Sequence, residues 1–123
     1  MKTILVVDDN ATNLKLMSLA LAARGHNAIQ AASGEEALQA IREQRPHLVL
    51  LDVQMPGMSG KEVAAAVRAE DSLSGTRLVA VTALAMRGDR EDLIASGFDD
   101  YLAKPYRMAD LHALVERWVG DTA

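Results

Sequence analysis

No cysteine occurs among the 123 residues, which excludes a disulfide scaffold, a thiolate zinc site and a thiol nucleophile. Aromatic residues are nearly as scarce. Phe98, Tyr101, Tyr106 and Trp118 are the whole set, so the core has to be aliphatic. Basic residues are in deficit, 13 Lys and Arg against 17 Asp and Glu, for a formal charge of −4. Nucleic acids are held chiefly by cations and stacking rings, so the chain is a poor nucleic-acid binder. No apolar run approaches the ~20 residues of a membrane span. The first run, Ile4 to Val7, meets two aspartates before it could form the core of a signal peptide. A cytoplasmic protein without a membrane partner is expected.

What is present fits one domain over residues 1–123. Half of the residues are hydrophobic, and a chain of this length can bury roughly two-thirds of its unfolded surface. Short apolar runs alternate with amphipathic stretches five times. The runs are Ile4–Val7, Ala28–Ala31, Leu48–Leu51, Leu78–Val81 and the short Tyr101–Ala103. The first, third and fourth are apolar without alternation, as in strands covered on both faces. Between them, Leu14, Met17 and Leu21 share one helical face, with Gly25 as a stop. Ser33 can cap a helix over Gly34–Gln44, with Glu36 in capping-box position and Pro46 blocking extension. A third helix is expected over about Gly60–Glu70 and a charged fourth over about Arg87–Ala95. The last carries Leu111, Leu114, Val115 and Trp118 at helical spacing. This (βα)₅ alternation predicts an α/β fold with a doubly wound parallel sheet.

In such a sheet, functional residues gather beyond the carboxyl ends of the strands. Asp8 and Asp9 follow the first run, Asp52 the third, Thr82 the fourth and Lys104 the fifth. Each has an ordinary explanation alone: Asp8, Asp9 or Asn10 as a helix cap, Asp52 as a turn residue before Pro56-Gly57, Thr82 as a strand former, Lys104 as a solvated cation. Packing alone does not collect three acids at one rim. A second acidic pair, Asp99-Asp100, precedes the fifth run instead of following it. At ~3.3 Å per strand residue it belongs more than ~10 Å from Lys104, and a solvated turn is expected there.

Three adjacent carboxylates repel one another unless a cation intervenes. Mg²⁺ suits the need, because it is bound by one or two carboxylates together with waters and phosphate oxygens. With the charges shielded, one carboxylate can attack phosphorus. Lys104 would balance the incoming charge and Thr82 could donate to it. The residues point to Mg²⁺-dependent phosphorylation of an aspartate.

These residues are carried by Asp8-Asp9-Asn10, the stretch Leu51-Asp52-Val53-Gln54-Met55-Pro56-Gly57-Met58-Ser59-Gly60, Val81-Thr82-Ala83, and Asp100-Tyr101-Leu102-Ala103-Lys104-Pro105. In that combination the whole chain resembles the receiver domains of response regulators in two-component signalling. The resemblance implies a flavodoxin-like three-layer fold with strand order 2-1-3-4-5. It implies Asp52 as phosphoacceptor, with Asp8, Asp9, Asp52 and the backbone carbonyl of Gln54 around Mg²⁺. It further implies that Lys104 and Thr82 hold the phosphoryl oxygens and that Tyr101 turns inward when Thr82 moves. The Lys104–Pro105 peptide is usually cis in the family, and Gln54 and Leu84 match positions that tune dephosphorylation. Asn13 and the stretch from Thr82 to Asp89 resemble receivers of hybrid kinases and some stand-alone regulators of cell-cycle relays. A stand-alone monomer or weak dimer is expected, with a histidine kinase or histidine phosphotransfer protein as donor. The downstream protein target is expected on the face made by the fourth helix, fifth strand and fifth helix, since the added charge lies beside Thr82.

Other readings fit less well. A phosphatase of the haloacid-dehalogenase class needs a second Asp two residues after the nucleophile, where Gln54 stands. A nucleotide binder needs a phosphate loop, yet Met55 and Glu62 break that pattern around Gly60-Lys61. A phosphorylation-independent adaptor on the same fold remains the alternative, and no turnover enzyme is expected. His26, His47 and His112 lack ligand spacing and belong at the surface or boundary. Met55, Met58 and Met86 suit adaptable packing, and Trp118 a core or dimer contact.

Overall fold

The structure is a computed structural model, and it describes residues 2–83 and 89–119. Five strands, β1 (Thr3–Val7), β2 (Asn27–Ala31), β3 (Leu48–Asp52), β4 (Arg77–Thr82) and β5 (Asp100–Ala103), form one parallel sheet in the order β2-β1-β3-β4-β5. The helices between and after them are α1 (Ala11–Ala22), α2 (Gly34–Gln44), α3 (Gly60–Ala69), α4 (Asp89–Ala95) and α5 (Met108–Val119). A single 3₁₀ turn, Asp71–Leu73, joins α3 to β4. The expected start of α4 at Arg87, together with Leu84 and Met86, lies outside the described residues.

Residues of one strand alternate between two cores, which explains the unbroken apolar runs. Leu5, Val7, Val49, Leu51, Leu78 and Ala80 face a core closed by α2, α3, Leu93 of α4 and Phe98. Ile4, Val6, Leu48, Leu50, Val79 and Val81 face the other, closed by Leu14, Met17 and Leu21 of α1 and Leu111, Leu114 and Val115 of α5. Over β1, β3 and β4 both faces are therefore dry, and the polar side chains of these strands collect at their ends.

Local signals set the helix starts. Asn10 accepts the N–H of Asn13 to open α1, Ser33 that of Glu36 to open α2, and Ser59 and Glu62 form a complete capping box on α3. At α2 the box is only half formed, because the Glu36 carboxylate accepts from Ala32 N–H. Arg45, at φ 47°, ends α2 before Pro46.

The solvated turn expected at Asp99-Asp100 needs correction. The pair does precede β5, but both carboxylates are engaged. Asp99 accepts from Arg68 at 2.9 Å and from Leu78 N–H at 2.8 Å. Asp100 is buried and accepts from Arg117 at 3.0 Å and Trp118 Nε1 at 2.9 Å. Trp118 is thus half-buried on the α5 side with a polar bond to β5. The acids fasten β5 to β4, α3 and α5, a role that strand periodicity does not express.

Candidate functional site

In-register pairing brings the strand exits together. Val7 pairs with Leu51, Asp52 with Val81, and Thr82 with Ala103, so Asp8, Asp52, Thr82 and Lys104 leave the sheet along one edge. The Lys104 N–H donates to the Thr82 carbonyl at 2.8 Å, extending the β4–β5 ladder by one bond. The Lys104–Pro105 peptide is cis, as the family resemblance implies. At Gly60 a Cβ would lie 2.5 Å from the Asp52 carbonyl oxygen. The missing side chain is what lets α3 begin directly against the end of β3.

Lys104 Nζ donates to Asp8 Oδ2 at 3.2 Å and to Asp52 Oδ2 at 3.3 Å. Asp8 Oδ1 also accepts Asn10 N–H at 2.9 Å and its Oδ2 the Asn13 amide at 3.2 Å. Asp52 Oδ1 accepts Gln54 N–H at 3.0 Å. Asp8 and Asp52 are buried and Asp9 is exposed, yet one carboxylate oxygen from each lies within 4.8 Å of the others. Two of the three acids therefore share one lysine.

Burial pushes the Asp52 carboxyl above its ordinary value; the Gln54 N–H and Lys104 pull the other way, and Asp8 adds to burial. Burial also works against charge on Lys104, but the Asp52 and Asp8 carboxylates outweigh it and hold the ammonium above its usual range. Lys104 stays a cation. An all-oxygen set of this size, incompletely neutralised, has the chemistry of a hard divalent cation site and fits Mg²⁺.

Other predicted residues fall around this centre. Thr82 is fully buried at the end of β4. Gln54 is exposed just beyond Asp52. Tyr101 is half-buried, with the Arg90 guanidinium of α4 5.9 Å from its ring centroid. The carboxylate rim opens onto a cleft of about 480 Å³ whose walls include Leu16, Tyr106 and Met108. Tyr106 lines this cleft, although the sequence marked it only as an aromatic. Burial raises its phenol pKa, with Lys104 lowering it and Asp8 adding to burial. The phenol thus stays protonated and able to donate. Its place directly after Lys104-Pro105 was the available signal.

A family model for the response regulator receiver domain matches residues 4–116. The chain is a receiver domain of a two-component response regulator. The polar-differentiation response regulator DivK of Brucella anthropi is 37% identical over 120 residues, 98% of each chain. Among solved structures, the receiver domain of the sensor histidine kinase PA1611 from Pseudomonas aeruginosa superposes with a TM-score of 0.88 at 32% identity, covering 98% of both chains. That structure has a magnesium ion coordinated in its active-site cleft. The chemotaxis protein CheY4 of Vibrio cholerae gives a TM-score of 0.90 at 29% identity, over 96% of this chain and 98% of its own. This receiver has the fold and strand order that the alternation and the resemblance predicted. Among its described residues no helix is long and apolar enough to cross a membrane.

Proposed function

We propose that this receiver domain is a signalling switch set by transfer of a phosphoryl group to Asp52 from a phosphohistidine on a histidine kinase or histidine phosphotransfer protein. The observation that carries the reading is a single lysine bridging two buried carboxylates, with a third carboxylate within 4.8 Å. An Asp52 oxygen attacks phosphorus, the P–O bond forms as the P–N bond breaks, and the imidazole leaves with the electron pair and takes up a proton. Lys104 meets the charge of the transferred group, and Thr82 donates to a phosphoryl oxygen. Asp8, Asp9, Asp52 and the Gln54 carbonyl would hold Mg²⁺, supported by the oxygen donor set and by the magnesium in the PA1611 receiver. Bound there, Mg²⁺ would shield the carboxylates from one another and neutralise charge building on the phosphoryl oxygens.

Lys104 is bonded to both Asp8 and Asp52, so a phosphoryl group on Asp52 must compete for it. The change reaches β4 and β5 through Thr82 and the Lys104 backbone. Output passes through α4, β5 and α5, with Tyr101 turning inward from its place beside Arg90. The domain works in the cytoplasm, as a monomer or weak dimer, and turns over no external substrate.

Intact-protein mass after incubation with acetyl phosphate and Mg²⁺ tests the reading. The wild type gains one phosphoryl group and Asp52→Ala gains none. Absence of an adduct in both folded proteins would favour a phosphorylation-independent adaptor.

A further inference from the structure

The opposite end of the sheet carries a second cavity, of about 390 Å³, with the reverse charge. Lys2, Arg45, His47 and Arg77 line it, with Trp118 and Leu73 supplying apolar surface, and among the described residues no carboxylate is in its walls. That composition is unexpected in a chain of net charge −4. Arg77 and Thr82 are the first and last of the six residues of β4, so the cavity lies about 16 Å from the carboxylate rim.

Of these cations Arg45 and Arg77 have placed head groups, and among the described residues only Arg77 reaches a carboxylate. Arg45 donates one guanidinium N–H to the Ser72 carbonyl at 3.0 Å, which fixes the head group and leaves its other donors and its charge. Arg77 lies over the Trp118 ring, 5.8 Å from the centroid. Its carboxylate contact, to Asp99, is at 3.9 Å, and that acid is already engaged by Arg68 and Leu78 N–H. The Nδ1 of His47 accepts Thr3 N–H at 3.1 Å, so the ring proton sits on Nε2 as a donor. Fixed donors around an apolar wall, in a cavity within the ordinary size range of ligand pockets, suit a small organic anion.

We infer that this cavity is a binding site for a small organic phosphate of at least two negative charges, distinct from the Asp52 site. The phosphate groups lie among Lys2, Arg45, His47 and Arg77, and the organic part against Leu73 and Trp118. Trp118 is the only tryptophan in the chain and its indole N–H is bonded to Asp100. The site therefore reports on itself.

The test is a titration of the full chain with ADP, and separately with pyrophosphate and sulfate, in magnesium-free buffer so that the carboxylate rim attracts no anion. Trp118 fluorescence and its indole N–H resonance are the readouts. The expected result is saturable binding of ADP with Kd below about 1 mM, at least tenfold tighter than sulfate. Arg45→Gln and Lys2→Gln should each weaken it several-fold, while Asp52→Asn leaves it unchanged. Saturation by pyrophosphate as tight as by ADP would assign the site to the phosphates alone and overturn the place given to the organic part. No saturable change, sulfate as effective as ADP, or equal affinity in Lys2→Gln and a folded Arg45→Gln would overturn the site.

Discussion

Two pairs of buried or half-buried aspartates sit at opposite ends of the same sheet, and they differ in how their charge is met. Asp99 and Asp100 have Arg68, Arg77, Arg117, the Trp118 indole and backbone N–H groups around them. Asp8 and Asp52, with Asp9 beside them, have Lys104, an asparagine amide and two backbone N–H groups. An acid surrounded by guanidinium groups is a fastening. Acids that outnumber their cation still have charge to offer to a metal ion or an electrophile. Satisfaction of charge, more than burial or the acidic dipeptide itself, separates structure from chemistry here.

The sharpest way to break the comparison is to exchange the pairs in the phosphorylation assay. Asp52→Asn should abolish the acetyl-phosphate adduct, whereas Asp99→Asn should retain it at near wild-type yield by intact mass. A lost adduct in folded Asp99→Asn would give both pairs a part in the chemistry.

Stability should move the other way. Asp100→Ala strands the Trp118 indole N–H and unpairs Arg117, so urea unfolding should show a loss of about 2 kcal/mol. Asp52→Asn removes a charge that burial disfavours and should gain about 1 kcal/mol without Mg²⁺, a Tm rise of roughly 4 °C. Adding Mg²⁺ should stabilise the wild type and close that gap, since the ion binds the folded chain alone. The smallest effect is its pH dependence. The folded-state pKa of Asp52 is raised, so its contribution is present below the ordinary carboxylate value and lost as pH rises through the raised one. The advantage of magnesium-free Asp52→Asn should therefore grow as pH rises from the ordinary carboxylate value through the raised one, and a flat difference would deny the shift.

The alternation of runs was enough to expose the parallel sheet, because strands buried on both faces leave uninterrupted aliphatic stretches such as Leu48–Leu51. It was also enough to place Asp8, Asp52, Thr82 and Lys104 on one rim, since each follows its run directly. The strand order came from family resemblance, as periodicity says nothing about neighbours. Asp99 and Asp100 were misread because their partners, Arg68 and Arg117, lie 31 and 17 residues away, and no local pattern carries such a pairing. Tyr106 escaped for the same reason: its role depends on a cleft made by α1 and the segment after β5. The basic cavity draws on both chain ends and on β4, so no stretch of sequence looks basic.

Strand order also divides the rim by rigidity. β1 and β3, which deliver Asp8 and Asp52, are each bonded to a strand on both sides, while β5, which delivers Lys104, has four residues and one neighbour. Backbone amides of β1 and β3 should be among the last to exchange with solvent, and those of β5 among the earlier. The carboxylates thus stand on an anvil, and the lysine that answers them hangs from the hinge side. Any movement that follows a change in charge at Asp52 will be taken up toward β5, because the centre of the sheet cannot yield without unfolding the domain.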